Sequence, residues 1–117
     1  MKYQGNYAFL TFLGNYTTKF VAQPNHFYVK IGSDPTRFDR RAPTVAFTLQ
    51  GYTPRQVAER LGQAGIFVWD GNYYALAVTE WLGVEESGGM VRVGIAHYNT
   101  AAEVDRLLSV VSDLARR

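Results

Sequence analysis

The stretch that most constrains the fold is MVRVGIAH at 90–97, followed almost at once by an apolar helical stripe. Val91, Val93 and Ile95 alternate with Met90, Arg92, Gly94 and Ala96, so an extended chain there carries one apolar face and one mixed face. Thr100 with Glu103 three residues later forms the Thr-x-x-Glu signature of a helix start, and Val104, Leu107, Leu108, Val111 and Leu114 recur at helical spacing over 101–115. A strand with one apolar face and a helix with one apolar stripe must each be covered. Laying one on the other covers both.

The same pairing occurs earlier in the chain. TVAFTL at 44–49 alternates Val45, Phe47 and Leu49 against Thr44, Ala46 and Thr48, which predicts a strand. Thr53, Pro54 and Gln56 then combine an N-cap, a first-turn proline and a capping-box partner. The predicted helix carries Val57, Ala58, Leu61 and Ala64 on one stripe and stops at Gly65. IFVW at 66–69 predicts a short strand, DGN at 70–72 a turn, and YYALAVTEWLG a short helix ended by Gly83, with VEESGG as the loop into the next strand. Upstream, HFYVKI at 26–31 alternates as a strand, GSDPTR is turn chemistry, and residues 7–21 favour two strands about Gly14-Asn15. The expected fold is α+β: a two-layer sandwich in which a small antiparallel or mixed sheet is covered by helices.

Composition limits what such a fold can do. With 117 residues and 47% hydrophobic content, one core is expected in these residues and a second domain is not. Twelve Lys and Arg against ten Asp and Glu leave a charge of +2. The basic residues are scattered apart from Arg40–Arg41 and Arg116–Arg117, which is no footprint for nucleic acid. The absence of cysteine rules out disulfides, thiolate metal sites and a cysteine nucleophile within these residues. MKYQGNYAFLTFLGN lacks a signal-peptide cleavage pattern and the roughly 20 apolar residues of a membrane span, so a soluble cytoplasmic chain without membrane partners is expected.

Arg92 is the candidate functional residue. It leaves the strand on the mixed face beside Gly94 and Ala96, whose small side chains leave room for another group to approach. It is either a solvated surface arginine, with Glu85, Glu86 or Asp70 as conceivable partners, or a planar bidentate clamp for a carboxylate. His97 extends the alternation of the core face and is expected to stabilise the turn, as Asn99 and Thr100 are expected to serve turn and cap.

GIFVWDGNYY, LGVEESGGMVRVGIAHYNTAAEVDRL and RAPTVAFTL together resemble the C-terminal small domain of the class V aminotransferases, pyridoxal-phosphate enzymes that include the cysteine desulfurases. The resemblance covers about residues 31–117 and leaves 1–30 as an aromatic-rich N-terminal segment outside it, expected to pack as strands on the domain. It implies that Arg92, six residues before Tyr98, binds the α-carboxylate of an amino-acid substrate. It further implies that Asn72, Tyr73 and Tyr74, with Trp69, lie on a loop bordering the substrate channel; equally, Trp69 and one tyrosine can be core residues. Tyr74 stands about where the desulfurases carry their nucleophilic cysteine.

The family holds its cofactor on a lysine of a large domain. Here the lysines are Lys2, Lys19 and Lys30, none within the matching span except at its edge. No cofactor is therefore expected on this chain, no catalytic residue is assigned, and the domain is expected not to catalyse alone. A second possibility is a stand-alone binding or assembly module. Tyr3, Tyr7, Phe9, Phe12, Tyr16, Phe20, Phe27 and Tyr28 supply apolar surface for homodimerisation where the large domain would otherwise dock. The expected partners are thus a large domain or a second copy, and an amino-acid carboxylate.

Overall fold

A computed structural model describes residues 27–31 (backbone only), 44–72 and 74–117. The elements there are β1 (Phe27–Ile31), β2 (Thr44–Leu49), α1 (Pro54–Gln63), β3 (Trp69–Gly71), α2 (Leu76–Trp81), β4 (Met90–Gly94) and α3 (Ala101–Ala115). The two strands expected in 7–21 lie outside the described residues, as does nearly all of the N-terminal segment 1–30 except its last residues, which enter β1.

The four strands form one antiparallel sheet in the order β1-β2-β4-β3. Val45 faces Val93 and Phe47 faces Val91 across the central pair, so the apolar sets of β2 and β4 fall on one side. That side is the main core. Phe47, Leu49, Val91, Val93 and Ile95 meet Val57 and Leu61 of α1 and Val104, Val111 and Leu114 of α3. Both helices start as their sequences dictate. The Thr53 hydroxyl accepts from the Gln56 N–H at 3.2 Å while the Gln56 side chain accepts from the Thr53 N–H at 2.9 Å, and Thr100 and Glu103 repeat the exchange at 3.3 and 2.8 Å. The molecule is the expected α+β arrangement, with an antiparallel sheet.

The opposite face carries a smaller cluster in which Leu82 and Val84, just after α2, pack on Ala46 and Met90. Gly89 holds this turn close to the sheet at φ +82°, where a Cβ would lie 2.2 Å from the Gly71 carbonyl oxygen. Only glycine fits there.

Two local expectations are corrected. The strand expected at 66–69 is displaced to Trp69–Gly71, because pairing with Met90–Arg92 selects those residues; Ile66 and Val68 touch the core without joining the sheet. Asp70 and Gly71 are therefore strand rather than turn. His97 does not continue the core face. The Asn99 side chain accepts from the Ala96 N–H at 2.8 Å and the Asn99 N–H donates to the Ala96 carbonyl at 3.0 Å, turning the chain after Ile95 and leaving His97 exposed, edge-on to Tyr98 at 5.3 Å. Asn99 and Thr100 do serve turn and cap, as expected.

Candidate functional site

Arg92 lies opposite Ala46 on β2 and Trp69 on β3, on the face turned away from the main core. It is exposed, and its strand neighbours alternate as the sequence requires, with Val91 and Val93 buried against the helices. Ala46, a small residue, and Gly94, with no side chain at all, flank it on that face. Trp69, its cross-strand neighbour, is 62% exposed, so the indole is a surface group and not core. Arg92 and Trp69 are thus cross-strand neighbours at the surface of the sheet.

Two of the acids within conceivable reach have other roles. Asp70 projects to the core side of β3, where its carboxylate lies 3.7 Å from the Arg55 guanidinium. Glu85 accepts from the Asn72 side-chain amide at 3.2 Å and from the Thr79 hydroxyl.

Asn72 builds the loop after β3. Its side-chain oxygen accepts from the Tyr74 N–H at 3.1 Å and its carbonyl accepts from the Ala75 N–H at 2.7 Å, forming an Asx turn. Tyr74 follows at φ +63° with its ring wholly exposed. Tyr73 lies outside the described residues. The Thr79–Glu85–Asn72 network has no periodic signature, and sequence reasoning missed it.

Among the described residues no cluster of three or more His, Asp or Glu side chains is placed to hold a metal, and no helix is long and apolar enough to cross a membrane. Pyridoxal phosphate does not fit the described residues either. They contain only Lys30 among the lysines, on the outer strand β1, and the N-termini of α1 and α3 are closed by their own capping boxes rather than open to a phosphate.

A family model described as Aminotransferase class-V matches residues 16–107, most of the chain. The chain belongs to the class V aminotransferase family. Within this family it is 33% identical over 72 residues to a probable cysteine desulfurase of Methanothermobacter thermautotrophicus, which covers 61% of this chain and 18% of that protein. An uncharacterized Mycobacterium tuberculosis protein is 36% identical over 78 residues, covering 67% and 19%. Among solved structures, the apo cysteine desulfurase of Thermococcus onnurineus superposes with a TM-score of 0.74 at 27% identity over 92% of this chain and 25% of that one. The cysteine desulfurase CsdA of Escherichia coli shares the fold, with a TM-score of 0.73 at 23% identity over 97% and 26%. The chain thus spans about a fifth to a quarter of the length of these family members.

Proposed function

We propose that this chain is the C-terminal small-domain portion of a cytoplasmic class V aminotransferase-like protein, and that Arg92 receives the carboxylate of an amino-acid substrate. The observation that carries this reading is the exposed guanidinium on the sheet face away from the main core, between Ala46 and Gly94 and beside the exposed Trp69. A carboxylate docked there would receive two parallel charge-assisted hydrogen bonds from one rigid fork. Asn72 and Tyr74, on the loop after β3, are proposed to border the ligand. The chain contributes binding and orientation. It supplies no cysteine for persulfide formation, and its lysines stand at 2, 19 and 30, so the cofactor and the bond-breaking steps belong to residues outside the site described.

The test is an NMR titration of the full chain with L-alanine, following the Arg92 side-chain N–H signals and Trp69. Saturable shifts centred on Arg92 are expected. Arg92→Lys, which keeps the charge but loses the fork, is expected to weaken binding by roughly tenfold, the equivalent of about one charge-assisted hydrogen bond. Equal responses from the wild type and Arg92→Ala sink the carboxylate reading.

A second reading, self-association, is favoured by the exposed Phe67, Tyr74, Trp81 and Tyr98, of which Phe67 is 90% and Trp81 84% accessible. Light scattering on dilute protein separates the two readings. A monomer that still binds L-alanine removes the assembly role, and a dimer indifferent to it removes the receptor role.

A further inference from the structure

The sheet opens at one corner. β3 and β4 pair from Gly71 and Met90 to Trp69 and Arg92, and the same register carried further would set Val68 opposite Val93 and Ile66 opposite Ile95. It stops because both chains are held elsewhere. The Ile66 N–H donates to the Leu61 carbonyl at 2.9 Å, after Gly65 has turned the chain at φ +74°, so this segment is tied to the end of α1. On the other side β4 ends at Gly94, and the Ala96 N–H goes to the Asn99 side chain at 2.8 Å. Between the two chains and the first turns of α3 lies a cleft of about 450 Å³. That size suits a small ligand.

The cleft is apolar inside and carries one cation on its lining. Val93, Ile95 and Val104 are buried around it, Ile66 and Val68 are half-buried, and the exposed rings of Phe67 and Tyr98 flank it. The Glu103 carboxylate, also on the lining, is engaged in the cap: it accepts from the Thr100 N–H at 2.8 Å and from the Asn99 side-chain amide at 3.1 Å. Arg106 is differently placed. Its hydrogen bond goes to the neutral Ala64 carbonyl, and among the described residues no carboxylate pairs with it. A guanidinium has five N–H donors, so one such bond leaves most of them, and the whole charge, available. A purely apolar ligand would leave this cation without a counter-charge, and a small inorganic anion would leave the apolar walls in water. A ligand that meets both has an apolar body and one carboxylate. We propose that this cleft binds an amphipathic carboxylate, with its body against Val93, Ile95 and Val104 and its anion on Arg106. Arg92 does not line the cleft, so this site stands independently of the carboxylate reading of Arg92.

The test is an NMR titration of the full chain with octanoate, kept below its micelle concentration, and with 1-octanol in parallel. Octanoate is expected to shift the amides of Ile66, Val68, Ile95 and Leu107 saturably and to bind about tenfold more tightly than the alcohol. Arg106→Gln is expected to weaken octanoate by about tenfold and leave 1-octanol unchanged, a split that loosening of the tie between α1 and α3 would not produce. Leu107→Trp fills the cleft from α3 while leaving Arg106 in place, and is expected to abolish binding of both with amide exchange in β4 unchanged. Arg92→Ala is expected to bind octanoate as the wild type does. Equal affinities for acid and alcohol overturn the role of Arg106. The site itself is overturned by an absence of saturable shifts, by shifts centred elsewhere, by undiminished binding in Leu107→Trp, or by binding that is lost with Arg92.

Discussion

Gly89 shows how much a single missing Cβ decides. Its φ of +82° and the 2.2 Å separation between a would-be Cβ and the Gly71 carbonyl oxygen mean that any side chain must push β3 away from the turn. Gly89→Ala is expected to lose about 2–4 kcal/mol of stability, from left-handed strain and steric displacement together, read as a lower denaturant midpoint with an unchanged slope. A loss of a few tenths of a kcal/mol contradicts this packing. At the same scale the sequence was only partly legible. Arg92 was placed on the correct face because alternation is a local property of an extended chain. The tie from Thr79 to Glu85 and on to Asn72 joins residues across two irregular turns, where no repeat predicts which side chains meet. Trp69 was left open between core and surface; it stands on a three-residue edge strand and is 62% exposed.

At the scale of elements, helix starts were legible and strand limits were not. Both capping boxes stand where Thr-x-x-Gln and Thr-x-x-Glu put them, because a cap involves only neighbours in sequence. β3 was misplaced by three residues because its limits are set by the partner strand and not by its own residues. The cap of α3 also carries a pH dependence. Glu103 is held below the ordinary carboxylate range, first by the Thr100 backbone N–H and then by the Asn99 side chain. A carboxyl whose folded pKa is depressed contributes stability that is present above its unfolded value of about 4.3 and is lost as pH falls through the lower folded value. Acidification is therefore expected to fray the first turn of α3, read as increased amide exchange at Glu103 and Val104. Glu103→Gln should flatten that dependence, and an identical acid profile in both proteins excludes the cap as its source.

Over the whole molecule, one core joins the sheet to both long helices, and Leu61 is fully buried where α1 meets it. Leu61→Ala is expected to cost about 2–5 kcal/mol, with exchange at β4 amides rising in step with those of α3 rather than separately. Independent loosening of α1 alone argues for two cooperative units. The sheet order has a consequence for how the chain assembles. β4, the latest of the four strands to leave a ribosome, lies between β2 and β3. Until residues 90–94 emerge, β3 has no neighbour and β2 has only β1, so nascent chains shorter than this hold half a sheet with an open edge. Arg92 sits on that late-arriving strand: the guanidinium proposed to receive a carboxylate is delivered by the same event that joins the two halves of the sheet.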